Sequence, residues 1–360
     1  MLSLTSEKLK RYKDLVLFII KHANSQLLQA SDEELVPETE NNTEGEPEKF
    51  VKDLEALGPT FIKMGQLFST RTDIFPPSYI TALSRLQDNV EPFSFEEVEN
   101  IVTEELGVRI SKAFQEFYAE PIAAASLGQV HKAVTHDGKI VAVKVQRPGI
   151  RSIIINDLEA LDDIASALDK HTKAGEKFAF GEILNEFRKT ILKELDYRIE
   201  AQSLTRLNNS LKGYSNIIVP LPVDDYTTSK VLTMDFVKGT KITSISPLAK
   251  LEFDSTVLIE ELFKAYLDQV LIDGFFHADP HPGNVFLTDD KRIALIDLGM
   301  TARVDPNMQE SLLKLMLYIS EGRGYEAAEL SIDMSIKSDL SNREIFIREV
   351  SSFVSIAQDA

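Results

Sequence analysis

His277-Ala-Asp-Pro-His-Pro-Gly-Asn284, followed after a hairpin-like segment by Asp297-Leu-Gly299, decides how the rest of this 360-residue chain is read. Asp279 stands two residues after His277, Asn284 five after Asp279, and Asp297 opens an Asp-x-Gly. Phosphoryl transfer from a nucleotide needs that set in that order. One Asp orients the nucleophile, while an Asn and a later Asp hold the magnesium ions that bridge the phosphates. Around them, Asn284 to Thr288 reads as a short strand, Asp289-Asp290-Lys291 as a turn, and Ile293 to Ile296 as a buried strand delivering Asp297. A mere Pro/Gly-rich turn with a helix-capping Asp297 leaves the spacing unexplained. His277-x-Asp279-x-His281 would also suit a zinc or iron hydrolase, but that reading uses neither Asn284 nor Asp297-Leu-Gly299.

Upstream segments supply the rest of a kinase-like set. Ile122 to His131, carrying Ala123, Ala124, Ala125 and Ser126, sits where a kinase has its Gly-rich phosphate loop. After the Asp137-Gly138 turn, Lys139 to Gln146 alternates and contains Val-Ala-Val-Lys144. A Lys at the end of a buried strand needs an anionic partner, and phosphate plus a helix Glu would supply two. The long helical region from Phe180 to about Lys212 offers Glu194, Asp196 and Glu200, the last two at i,i+4 on one face. Glu200 is assigned to Lys144, which leaves Glu194 and Asp196 nearer the cleft. Ile217 to Val223 and Lys230 to Phe236 read as the last strands of a first lobe. Met234-Asp235-Phe236-Val237 then reads as a hinge whose backbone meets an adenine, and a helix from Val257 to Asp273 leads a helical second lobe.

The length allows two lobes sharing a cleft, and 43% hydrophobic residues can fill their cores. A net charge of −18 and a pI near 4.9 argue against a nucleic-acid partner and against broad attachment to anionic lipid. Nucleotide must then be held by a local group of Lys and metal. The absence of cysteine excludes disulfides and thiolate metal sites. The longest apolar run, Leu15 to Ile20, is six residues, against roughly 20 for a membrane span. No signal-peptide cleavage pattern is present at the N-terminus.

Residues from about Ser6 to Gln29 read as a helix with Leu9, Tyr12, Leu15, Val16, Ile19, Ile20 and Ala23 on one face and lysines elsewhere. Such a face suits a membrane surface, a partner, or the body of the protein itself. Asp32 to Glu48, with eight carboxylates and no basic residue, reads as a solvated linker. Phe50, Leu54 and Leu57 make a helical stripe stopped by Gly58, and Pro59 restarts a helix bearing Lys63-Met-Gly-Gln66. Lys63 and Gln66, three apart, share a face, and the Gly between them permits a close approach. Ser94-x-x-Glu97 is a capping box for a helix ending at Gly107.

Four of these segments, in order over roughly residues 49 to 305, resemble the UbiB/AarF family of atypical kinases tied to prenyl-quinone metabolism. They are Lys63-Met-Gly-Gln66 for its K-x-G-Q, Ala123 to Gln129 for its alanine-rich loop, Glu194-Leu-Asp196 for its E-x-D, and His277 to Asn284 for its catalytic loop. The resemblance implies an α+β, bilobal protein-kinase-like fold with an N-terminal helical extension covering the cleft. On that basis residues 1–48 are amphipathic helix and acidic linker, 49–115 the K-x-G-Q extension, 116–236 the N-lobe and 237–360 a helical C-lobe. It implies an ATPase, or a kinase of small or lipid-linked molecules, rather than a protein kinase acting in trans. ATP or ADP with Mg2+ would be bound by Lys144, the loop, Met234 to Val237, Asn284 and Asp297, with Asp279 orienting the nucleophile and Lys63, Gln66, Glu194 and Asp196 regulating access. A lipid or prenyl-quinone precursor and a peripheral membrane contact are the expected partners, in the cytoplasm or at the membrane surface. Alanines give the loop less freedom than glycines, which implies a different nucleotide pose. No C-terminal transmembrane segment is read, and Ile345 to Ala360 is an expected helix; the chain is either a soluble member or stops short of a natural C-terminus. A nucleotide-sensing scaffold with little turnover and a metal-dependent hydrolase are the competing readings.

Overall fold

The computed structural model describes residues 6–23, 45–72, 74–86, 90–172, 175, 179–245, 255–335 and 342–358. Most of the expected acidic linker, and the first helix beyond Ala23, lie outside them. The chain divides into two compact units, Met1–Ala201 with Pro222–Phe236, and Gln202–Leu221 with Val237–Ala360.

The first unit opens with a helical layer of α1 (Ser6–Ala23), α2 (Glu46–Leu57), α3 (Pro59–Phe68) and α4 (Pro77–Leu83). Gly58, at φ 99°, separates α2 from α3, a backbone conformation that side chains resist. Leu15, Phe50, Leu54, Phe61, Tyr79 and Leu83 form the shared core. A Cβ on Gly65 would sit 2.4 Å from Leu86 Cδ1, so the close approach that this glycine permits is to a leucine of its own layer. The expected apolar face of α1 is split. Leu15 is buried, whereas Leu9, Val16 and Ile20 are exposed. The reason is polar anchoring: Arg11 Nε and Nη2 donate to Asp157 at 2.6 and 2.7 Å, and His22 meets Asp53 at 2.8 Å, which turns the Arg11–Leu15–His22 side inward.

Next come α5 (Phe95–Leu106), opened by the complete Ser94/Glu97 capping box and closed by Gly107 at φ 70°, and α6 (Ile110–Ala113). The strands are β1 (Glu116–Phe117), β2 (Ala123–Ala124), β3 (Gly128–Val134) and β4 (Ile140–Gln146), followed by α7 (Ile150–His171), α8 (Phe180–Glu194) and α9 (Tyr197–Ser210). From Gln202, within α9, the chain belongs to the second unit, which also holds β5 (Ile217–Ile218), and β6 (Val231–Asp235) returns to the first. The first sheet is antiparallel, ordered β1-β3-β4-β6, with β2 on β3. Val141, Val143 and Val145 alternate onto the face packed by Val98, Val102 and Phe114, which puts Lys144 on the other face. Two expectations are corrected. The helical region from Phe180 breaks at Leu195–Asp196, where Arg198 N donates to Asp196 Oδ1 at 3.1 Å, so Asp196 and Glu200 do not share a helix face. Ile217 pairs in parallel with Ile293 of the second unit, because its apolar side chain is buried there, and so it is not a strand of the first lobe.

The second unit continues with β7 (Gly239–Lys241), α10 (Ser255–Leu271), β8 (Phe275–His277), β9 (Val285–Thr288), β10 (Ile293–Leu295), β11 (Thr301–Arg303), α11 (Pro306–Ser320), α12 (Gly324–Asp333) and α13 (Arg343–Gln358). Its sheet is ordered β5-β10-β9-β7, and β8 pairs with β11. Here the expected helical lobe carries more strand than foreseen, because strands of two to four residues are too short for a period-two pattern to show. Among the described residues no helix is long and apolar enough to cross a membrane.

Candidate active site

In the first unit, Lys144 Nζ donates to Glu200 Oε1 and Oε2 at 3.1 and 2.9 Å, and lies 5.2 Å from the Tyr197 ring centre. Glu200 is buried, so this is a desolvated, bidentate pair at the start of α9. Gly128 makes the packing possible: a Cβ there would meet Val145 O at 2.5 Å and Tyr197 Oη at 2.6 Å. The alanine-rich loop is a tight hairpin, with Ala123 opposite Val130, Ala124 opposite Gln129, and Ala125 N donating to Gly128 O at 2.7 Å. Ala123 is exposed and Ala124 and Ala125 half-buried, whereas Ser126 is fully buried with its Oγ enclosed and without a hydrogen-bond partner. The turn folds that side chain inward.

Lys63 Nζ lies 3.5 Å from Glu194 Oε1, joining the Lys63-Gln66 helix to the last residue of α8. Asp196 is not its second carboxylate. It is held by Arg198, with Nε and Nη2 donating at 2.9 and 2.7 Å, and that guanidinium pulls its carboxyl below the usual range. The Gln66 side chain has no hydrogen bond among the described residues, although its carbonyl accepts from Ser69 Oγ. At the expected hinge, Met234 pairs with Ala142, Asp235 is bound by Lys139 at 2.5 Å, and Phe236 N donates to Ile140 O at 3.3 Å. The division between the units falls between Phe236 and Val237.

In the second unit, the loop after β8 carries Asp279, half-buried and with no hydrogen-bond or ion-pair partner for its carboxylate among the described residues. Asn284 ends a short 3-10 turn, and Ile296 N donates to its carbonyl at 3.0 Å, just beyond the Val285–Leu295 pair. Asn284 therefore stands across the hairpin from the residue that precedes Asp297. Asp297 is exposed at φ 60°, and buried Leu298 anchors the turn behind it. Beneath the loop, His277 is buried, and burial holds its imidazole below the ordinary value despite the opposing pull of Met300 O, Asp279 and Asp297. The described geometry does not gather His277, Asp279 and His281 into one three-ligand set. His281 is exposed with Nδ1 taken by Gly283 N, and no group of three or more His, Asp or Glu is placed to hold a metal among the described residues. Asn284 and Asp297, by contrast, are two oxygen donors brought to one hairpin end, which suits magnesium completed by phosphate and water.

Sequence reasoning missed Tyr197, Tyr266 and Arg147. Burial and Asp279 push the Tyr266 hydroxyl upward, and Arg147 grips the alanine-rich loop. Only Arg147 left a signal, as a cation three residues beyond Lys144 on the same strand end.

Comparison with known proteins places this geometry. Residues 85–331 match the ABC1 atypical kinase-like domain. Over 298 residues the chain is 39% identical to the chloroplastic protein ACTIVITY OF BC1 COMPLEX KINASE 7 of Arabidopsis thaliana, covering 83% of this chain and 43% of that one. Over 284 residues it is 37% identical to a Marinobacter nauticus protein named as a probable protein kinase, UbiB, covering 78% and 52%. The chain thus spans about half the length of these relatives. The solved complex of Rv3197 with erythromycin from Mycobacterium tuberculosis shares the fold, with a TM-score of 0.56 at 24% identity over 88% of this chain and 74% of that one. With its catalytic-loop hairpin, its Lys144–Glu200 pair and a match over most of its length, the chain belongs to the ABC1 (UbiB/AarF) family of atypical kinase-like proteins.

Proposed function

We propose that this chain binds ATP or ADP with Mg2+ and moves the terminal phosphate to water or to a small or lipid-linked acceptor, in support of prenyl-quinone metabolism. The observation that carries the reading is the hairpin that brings Asn284 beside the strand end of Asp297, with the unpartnered carboxylate of Asp279 on the loop leading into it. Asn284 and Asp297 would hold magnesium there, and the ion would supply positive charge to offset that of the phosphates. Asp279 orients the attacking hydroxyl or water, and Lys144, fixed by Glu200, holds phosphate. The role in prenyl-quinone metabolism is what the resemblance to the UbiB/AarF family implies, and a relative that carries the name UbiB supports it. Restriction to small or lipid-borne acceptors is favoured by the Lys63–Glu194 tie, which fixes α3 against the end of α8. A peripheral membrane contact through the exposed Leu9, Val16 and Ile20 of α1, flanked by Lys10 and Lys13, completes the proposal.

The test is magnesium-dependent phosphate release from ATP, with and without a detergent-solubilised quinone precursor, in wild type and Asp279→Asn. Release that needs magnesium and is lost in Asp279→Asn supports the enzyme. Nucleotide binding without release in either protein would make the chain a nucleotide-sensing scaffold, and release without magnesium would sink the reading.

A further inference from the structure

The tip of the alanine-rich loop, Ala123 to Ser126, has no side-chain hydrogen bond to hold its shape: three of these residues are alanines, and Ser126 Oγ has no partner. Beyond the Ala125 N to Gly128 O bond and the short β2–β3 pairing, its tip is held from outside. Arg147 N donates to Leu127 O at 2.8 Å, and Arg147 Nη2 donates both to Ala125 O at 3.3 Å and to Glu91 O at 3.0 Å. The same guanidinium lies 5.4 Å from the Phe93 ring centre. On the other side of the hairpin, buried Gln129 clips the backbone of Phe93 twice, accepting from its N–H at 2.9 Å and donating to its carbonyl at 3.3 Å. The 91–93 segment, which leads into α5, and the loop are therefore splinted together by two side chains.

We propose that Arg147 and Gln129 are positioning residues that splint the alanine-rich loop to the 91–93 segment and so hold the loop in its nucleotide-receiving shape. The nucleotide half of this proposal rests on the reading given under Proposed function. A loop already held in its binding conformation loses less freedom when ligand arrives, so the splint contributes affinity without touching phosphate. Its chemistry is separable from the fold. Removing the Arg147 side chain breaks the bonds to Ala125 O and Glu91 O but leaves the main-chain bond from Arg147 N to Leu127 O and the Gly128–Gln146 pairing of β3 with β4.

The experiment compares full-length wild type, Arg147→Ala and Arg147→Lys by amide hydrogen exchange and by Mg-ATP and Mg-ADP titration. In Arg147→Ala, exchange in residues 122–128 and 90–94 should quicken while residues 140–146 stay as in wild type, and Mg-ATP affinity should fall about tenfold, the scale of one lost element of preorganisation. Arg147→Lys, which can reach one carbonyl, should fall between. Adding Ala125→Gly should weaken binding in wild type but add less in the Arg147→Ala background, because the freedom it gives has already been released. Unchanged loop exchange in Arg147→Ala would overturn the splint, and faster exchange with unchanged affinity would leave Arg147 merely structural and overturn its positioning role. If wild type binds no nucleotide, the proposed function fails and takes the affinity arm with it, while the exchange arm still decides the splint.

Discussion

Lys144 and Glu200, 56 residues apart in sequence, meet in a two-pronged ion pair that seals the end of β4 to the first turn of α9. Glu200 is 5% exposed, so neither charge can be removed alone without leaving the other poorly solvated. Glu200→Gln should lower stability by about 3 kcal/mol, and adding Lys144→Met should recover most of it. Urea unfolding of both single variants and the double variant measures this; additive losses would show that the two side chains do not depend on each other.

Asp297 lies in the left-handed region at φ 60°, which Asn tolerates as readily as Asp. Asp297→Asn should therefore fold normally yet lose a charged magnesium ligand. At about a hundred times its dissociation constant, Mg-nucleotide should stabilise wild type by roughly 2.7 kcal/mol. Most of that gain should vanish in the variant, and equal melting shifts in the two proteins would remove Asp297 from the metal site.

Lys63 is tied at 3.5 Å to Glu194, with both side chains largely buried. Lys63→Ala should free α3 from that carboxylate and expose self-phosphorylation or alter nucleotide preference. Labelled-phosphate incorporation is read beside wild type and Asp279→Asn. Labelling and nucleotide affinities identical to wild type would return Lys63 to an ordinary structural lysine.

Burial is the largest influence on both His131 and His277, and it holds each below the ordinary imidazole value of 6.5. The folded chain keeps these rings neutral, so as pH falls below about 6.5 the unfolded chain takes up protons first and stability declines. Above that value their contribution is fully present; it is lost as pH drops toward the depressed folded values. Each ring adds a slope of up to about 1.4 kcal/mol per pH unit in that window. Urea midpoints at pH 7.5 and 5.5 should diverge less in His131→Gln than in wild type, and an equal divergence would contradict the assignment.

Arg11 and Thr60 both donate to the buried Asp157, at 2.6, 2.7 and 2.5 Å, joining α1 and α3 to α7. Arg11→Met keeps the stem but strands the carboxylate, and should cost about 3 kcal/mol and hasten amide exchange in α1. A loss below about 0.5 kcal/mol, the usual range for a surface substitution, would mean that α1 is held by Leu15 and its apolar neighbours alone.

Local chemistry was legible in the residues alone. The spacing of Asp279, Asn284 and Asp297, the Ser94 capping box, the turns at Gly58 and Gly138 and the parity of Val141 to Val145 each rest on interactions a few residues long, and the structure shows the hairpin, caps and strands they specify. Long-range pairing was not. Which carboxylate takes Lys63, which sheet receives Ile217, which side of α1 is inward and that Ser126 is enclosed all depend on partners from distant parts of the chain. Several polar or apolar groups compete for each such partner with nearly equal local propensity. Tertiary packing chooses among them by burying the set that leaves the fewest charges unpaired.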